Sequence, residues 1–296
     1  MTDQLSSSPP SVRPIGANTW IWESPITDDR LEELVPRLKA WGFDLVELPI
    51  ENLDDWNPAR TAELLAEHGM GISICIAMAP GRELCAADAT TIESTQEFLR
   101  RAVDTAETVG SAVIAGPIYA SVGRTWRMSA EERVGLYDEL RASLRPVCDY
   151  AAERGVQVAV EPLIRYETSV INTVDQALEV LDGLPTEGSG LLIDSYHANV
   201  EEHSVPDAFR AAGNRLAHVH LCANDRGAPG TDHMDWNGIR SALDEIDYGG
   251  AMVIESFTAE NEAIATAASI WRPLADSQDE IAIRGLAHLQ EVFGRR

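Results

Sequence analysis

The sequence predicts a closed (β/α)8 barrel. Three observations carry that prediction. Short, uncharged, β-branched runs alternate with amphipathic helical stretches eight times. The unit recurs about every 30 residues, the size of one strand–helix–strand crossover. Such alternation demands a parallel sheet with helical connections. Four successive runs, the fifth to the eighth, each deliver a metal-ligand side chain at or near their carboxyl end. Functional groups of a closed barrel stand at those ends. No GxGxxG follows the first run, which sets aside a doubly wound open sheet.

The elements follow in order. Pro14 to Trp20 reads as strand one. Asp28 to Trp41 places Leu31, Leu34, Val35 and Leu38 on one helical face, and Gly42 ends it. Asp44 to Ile50 is strand two. Asn57-Pro58 is an N-cap with proline at the first helical position, opening a helix that ends near Gly69. Ile72 to Met78 is strand three. Thr90 to Glu93 fits a capping box before a helix that stops at Gly110. Ala112 to Ile118 is strand four, and Ser129 to Glu132 is a second capping box, opening a helix to Gly155. Strand five is Val156 to Glu161. Thr173 caps a helix to about Leu184. Strand six ends at Asp194, and a helix covers Val205 to Ala212. Strand seven contains His220. Asp235 to Asp247 is a helix, strand eight ends at Glu255, and a last helix runs from Asp279 to Phe293.

The 296 residues, 45% of them hydrophobic, suffice for one large core, and barrels of this length form one domain. The domain is expected over residues 14–296, after a flexible leader at 1–13 that has no basic or apolar signal region. No apolar run approaches the roughly 18 residues of a membrane span. A net charge of −25 repels a phosphate backbone, so nucleic acid is not an expected partner. Cys75, Cys85, Cys148 and Cys222 form no CxxC pair and read as buried, reduced thiols of a cytoplasmic protein. Lys39 is the sole lysine and lies within the first helix, which argues against Schiff-base chemistry.

The candidate site is a set of strand ends. A carboxylate closing a buried strand is costly without compensation. Glu161, Asp194, His220 and Glu255 together make a mostly oxygen site with one imidazole, suited to Mn²⁺, Mg²⁺ or Co²⁺. His218 and His220 share a strand face. His220 is chosen as ligand because it is nearer the carboxyl end, with His218 one layer deeper. Glu161 and Glu255 are the expected catalytic pair: one takes a proton from a bound carbon and the other returns it on the opposite face. Glu167, His197 and Arg226 follow the ligands closely and suit the hydroxyls of a polyol. Arg226 stands in a Gly/Pro loop with little to pack on, so it is expected to serve substrate rather than the fold. Trp20, Trp22, Trp126 and Phe257 could wall a sugar. No Gly-rich phosphate cradle is evident, which favours a free sugar.

These residues carry a family resemblance. Glu161-Pro-Leu-Ile-Arg-Tyr-Glu167, Asp194-Ser-Tyr-His197, His220 with Arg226-Gly227, and Glu255-Ser-Phe257 resemble the ketose 3-epimerases, the tagatose/allulose (psicose) group of the xylose-isomerase-like barrels. The resemblance implies a Mn²⁺- or Co²⁺-type ion on Glu161, Asp194, His220 and Glu255. It implies epimerisation of free ketoses at C3 through a cis-enediolate. It also implies contacts from Glu167, His197 and Arg226 to the sugar's carbonyl end, and a homodimer or homotetramer. Two places depart from the family pattern: Cys222-Ala223 stand where it has Gly-Glu, and Ala17 to Trp20 differs from its aromatic first strand.

Other readings differ in chemistry. An aldose–ketose or hydroxypyruvate-type isomerase, or an inosose-type dehydratase, would use the same barrel. Endonuclease-like cleavage would need more metals and more histidines, against a charge of −25. A non-catalytic sugar-binding barrel would not need Glu161 and Glu255.

Overall fold

The computed structural model describes residues 13–294. Eight parallel strands close on themselves in sequential order, each hydrogen-bonded to its neighbours in the chain and the last to the first. The (β/α)8 barrel predicted from the sequence is the fold observed.

β1 (Ile15–Asn18) is shorter than predicted, because Asn18 turns the chain. Its side-chain oxygen accepts the Trp20 N–H at 2.8 Å and opens a single 3-10 turn, Thr19–Ile21. α1 (Asp28–Trp41) is capped by Thr27 and stopped by Gly42 in the left-handed region. β2 (Leu45–Pro49) and α2 (Pro58–His68) follow, the latter with the predicted Asn57 cap and Pro58. β3 (Gly71–Cys75) leads to α3 (Ala89–Val109). The predicted box at Thr90 is displaced: Asp88 is the cap, accepting from Thr91 N at 2.8 Å, since an earlier carboxylate caps the same N–H groups. β4 (Val113–Gly116) precedes α4 (Ala130–Ala152), where Ser129 and Glu132 form the predicted reciprocal box.

β5 (Gln157–Val160) and α5 (Val174–Leu181) come next. α5 ends earlier than predicted, with Gly183 at φ 76° just beyond it. β6 (Ser189–Asp194) runs directly into α6 (Ser195–Glu201), a helix the sequence did not announce, and then α7 (Val205–Ala212). β7 (Leu216–Leu221), α8 (Trp236–Glu245) and β8 (Met252–Ile254) complete the barrel. A second unannounced helix, α9 (Glu262–Ala267), precedes α10 (Gln278–Val292). None of the described helices is long and apolar enough to cross a membrane. The expected leader lies outside the described residues except for Arg13. That residue is tied to the barrel floor, donating to Tyr248 O at 2.6 Å and pairing with Asp244 at 2.7 Å.

The main core lies between strands and helices, where α1 buries Leu31, Leu34, Val35 and Leu38 and α3 buries Leu99, Ala102, Val103 and Ala106. Register then decides what meets inside. Asn18, Glu47 and Ser73 stand abreast on β1, β2 and β3, and Asp194 stands abreast of His220 on β6 and β7.

Gly116 ends β4 at the cleft with φ 138°, and a Cβ there would lie 2.2 Å from the Ile76 carbonyl oxygen. Gly116→Ala is therefore expected to cost at least ~1–3 kcal/mol from backbone strain alone. Urea unfolding measures it, and an unchanged midpoint would contradict the assignment.

Candidate metal centre

The barrel mouth opens into a cleft lined by Trp20, Glu161, His220, Arg226 and Glu255 among others. Glu161 lies just past β5, Asp194 ends β6, His220 is on β7 and Glu255 lies just past β8. One ligand atom from each of the four lies within 4.8 Å of the others, and all four residues are buried. Asp194 belongs to two elements at once: it closes β6 and caps α6, accepting from Tyr196 N at 2.7 Å. That cap carries His197 and Tyr196 to the mouth. A turn of helix beginning on a ligand is not visible as apolar periodicity, which explains why α6 escaped prediction.

The donors fit a hard divalent ion. Glu161 Oε1 and His220 Nδ1 are buried with no hydrogen-bond partner, a costly condition unless another ligand uses their lone pairs. Cys75 and Cys222 border the cluster, but burial, then Glu47 for Cys75 and Asp194 for Cys222, push both thiols well up. Thiolate ligation is disfavoured and the oxygen-rich set remains. All four cysteines are buried and unpaired, as the sequence suggested.

The two glutamates differ in environment. Burial and the Glu255 charge push Glu161 well above the usual carboxylate range. Burial also opposes ionisation of Glu255, but His220 and Arg226 outweigh it and bring the group to about 2. Glu255 sits 3.3 Å from His220 Nδ1 and accepts from Arg226 Nη1 at 2.9 Å. The same guanidinium nitrogen pairs with Asp194. Arg226 is only 7% exposed, lies over the Tyr196 ring at 4.2 Å, and has φ 68°. The expectation that it has little to pack on is thus corrected: it is the cation that pairs with two carboxylates of the cluster.

His197 Nδ1 accepts from Ile164 N at 3.1 Å, and its Nε2 lies 2.9 Å from Arg226 Nη2. Burial and Arg226 pull His197 to about 3, so the ring is neutral. Its Nε2 lies 3.8 Å from Glu161 Oε1. Glu167, half-buried, and Phe257 line the cleft as the sequence suggested. Trp22 does not. Its indole N–H donates to Asp279 at 2.9 Å and its ring stacks on Trp41 at 6.2 Å. Trp20, also suggested as a wall, does line the cleft, 5.7 Å from Phe257, because the 3-10 turn after Asn18 orients the segment. Trp126, also suggested as a wall, lies under Arg124 away from the lining.

Three contributors were not foreseen. Tyr196 lines the cleft beside Arg226, and α9 supplies Ile264 and Ala267 to the outer wall. The third is Glu47 of β2, fully buried behind the ligands. Burial pushes this carboxylate up, but His220 and His218 overcome that and hold it well below the usual range. A lone charge inside the apolar run Leu45-Val-Glu-Leu-Pro49 was the signal available in the sequence.

Residues 35–289 match the xylose isomerase-like TIM barrel family. A probable ketose 3-epimerase of Synechocystis sp. is 31% identical over 97% of this chain and 98% of its own length. The chain belongs to the ketose 3-epimerases, a family of isomerases. An L-ribulose 3-epimerase of Methylomonas sp. is 28% identical over 94% of this chain and 97% of its own. Among solved structures, a D-allulose 3-epimerase of Methylomonas sp. in complex with D-allulose superposes with a TM-score of 0.86, at 26% identity over 95% of this chain and 98% of that one.

Two outcomes follow for the metal-free protein. The raised native value of Glu161, against an ordinary 4.5, means that its neutral form stabilises the fold. That contribution is complete below the unfolded-state value and is lost as pH rises through the native one. Glu161→Gln should therefore flatten the alkaline decline of stability, measured by urea midpoints from pH 4 upward; an unaltered profile would refute the assignment. Arg226→Ala leaves Asp194 and Glu255 buried without their shared guanidinium, so a loss of ~3–5 kcal/mol is expected. A melting temperature equal to wild type would count against that role.

Proposed function

We propose that this chain epimerises free ketoses at C3 with the help of a divalent cation, using Glu161 and Glu255 as the proton-transferring pair. The observation that carries the reading is the convergence of these two glutamates in one buried ligand cluster, with opposite surroundings. Environments that drive two carboxylates apart mark an acid and a base. A bound Mn²⁺- or Co²⁺-type ion on Glu161, Asp194, His220 and Glu255 would stabilise negative charge developing on the substrate's carbonyl oxygen.

The remaining steps belong to side chains. One glutamate removes the C3 proton and the other returns a proton from the opposite face. Microscopic reversibility exchanges their roles for the reverse reaction. His197, with Nδ1 committed to Ile164 N and Nε2 2.9 Å from Arg226 Nη2, borders the place a substrate oxygen would occupy. Glu167 accepts from a hydroxyl. Trp20 and Phe257 cover an apolar face of the sugar and limit water.

Two features support a free sugar over a sugar phosphate. Arg226 is the only Arg or Lys among the described cleft residues, and it is committed to Asp194 and Glu255. A phosphate would also meet Glu161, Glu167 and Glu255 with no positive counterpart. D-Allulose in the Methylomonas relative is a free ketose, consistent with this choice.

Glu161→Gln and Glu255→Gln should each lower turnover by ~10²–10⁴, the usual size of general acid–base catalysis. Metal content is measured alongside, because both residues are also ligands. In D₂O, a variant with one working base should wash deuterium into C3 while forming little epimer. Near-normal epimerisation by both metal-loaded variants would defeat the two-base scheme, and label at C1 would point to an aldose–ketose isomerase instead.

A further inference from the structure

We infer that Glu47, held in place by His218, is a positioning residue that fixes which nitrogen of His220 faces the metal. The inference rests on the metal reading above and extends it to the layer beneath. His220 has two ring nitrogens with different company. Nδ1 lies 3.3 Å from Glu255 Oε1, on the ligand side, and has no hydrogen-bond partner. Nε2 lies 2.7 Å from Glu47 Oε1, on the barrel-floor side. That contact is close but off the line of a hydrogen bond, so its hold is chiefly charge. A carboxylate behind a metal-binding imidazole keeps the proton on its own side and leaves the other nitrogen as the ligand.

Glu47 can serve in that way because it cannot turn. Asn18 Nδ2 of β1 donates to Oε1 at 2.9 Å. Ser73 Oγ of β3 donates to Oε2 at 2.8 Å. His218 Nε2 of β7 meets Oε2 at 2.6 Å. His218 and His220 also pack edge to face, 5.1 Å between ring centres, so the two imidazoles brace each other. Glu47, His218 and His220 are close enough together to suggest a second cation site. The contacts oppose that: both Glu47 oxygens already accept from neutral donors, and the imidazoles touch the carboxylate directly, with no gap for an ion.

The test is calorimetric titration of chelator-stripped protein with Mn²⁺ and with Co²⁺. It covers wild type, Glu47→Gln and Ser73→Ala, with melting temperatures of the stripped forms and the d–d spectrum of the Co²⁺ forms. Wild type should bind one ion per chain. Glu47→Gln should bind ~10–100-fold more weakly, the usual cost of losing such a support, with an altered Co²⁺ spectrum. Ser73→Ala removes a single buried, uncharged hydroxyl, so it should fold and bind several-fold more weakly. Unchanged affinity and spectrum in both variants would overturn the inference while leaving the metal reading intact. Two ions in wild type and one in Glu47→Gln would make Glu47 itself a ligand, and overturn it too. No binding by wild type would bring down the metal reading, and this inference with it.

Discussion

Concentrated, buried negative charge at the barrel mouth is the constraint on which the rest of the site depends. Glu161, Asp194 and Glu255 converge with their side chains almost wholly removed from water, and Glu47 lies just below them. Carboxylates so placed repel one another and lose hydration, and either effect alone can exceed the stability of a domain unless compensated. The chain compensates in three ways. Arg226 lies between Asp194 and Glu255, the imidazoles of His218 and His220 face Glu47, and burial with the Glu255 charge pushes the Glu161 carboxyl well above the usual range. Each is a different answer to the same repulsion. The answer at Glu161 is the weakest, since its Oε1 still lacks a partner, and that leaves the site asymmetric and ready for a cation.

The compensation reaches into secondary structure. Asp194 is at once a strand end, a helix cap and a ligand candidate, so α6 starts where the cluster is. Arg226 reaches the cluster only by adopting a left-handed backbone conformation, which costs a non-glycine residue on the order of 1 kcal/mol. The Ser256 hydroxyl, donating to the Arg226 carbonyl, helps to hold that loop. Backbone strain beside an ion-paired side chain is the pattern expected where geometry serves chemistry more than folding. A loop free to relax would place Arg226 in water and leave two carboxylates uncompensated.

How legible this was in the sequence depended on scale. Strand–helix alternation fixes the barrel, because eight parallel strands with helical crossovers have few other ways to hide both faces. The carboxylates that meet at the mouth were legible because a charge closing an apolar run is conspicuous. What failed was local direction. Trp20 and Trp22 are two residues apart, and only the 3-10 turn capped by Asn18 decides which of them meets the cleft. Arg226 looked solvated because its partners, Asp194 and Glu255, are 32 and 29 residues away in sequence and come together only by closure of the barrel. α6 and α9 are too short, at 7 and 6 residues, to show a period of 3.6.

Glu47 shows the same limit from the other side. Its charge was visible inside an apolar strand, but its meaning depended on β1, β3 and β7, which bring Asn18, Ser73 and His218 to it. β7 contacts β2 through neither sheet edge, since the strands between them are β8 and β1. Only the barrel interior can bring their side chains together. An open sheet with the same eight strands would keep Glu47 and His218 apart, and the carboxylate would then be buried without its imidazole partners. Closure is therefore a condition for tolerating this charge, as well as the device that brings four strand ends to one mouth.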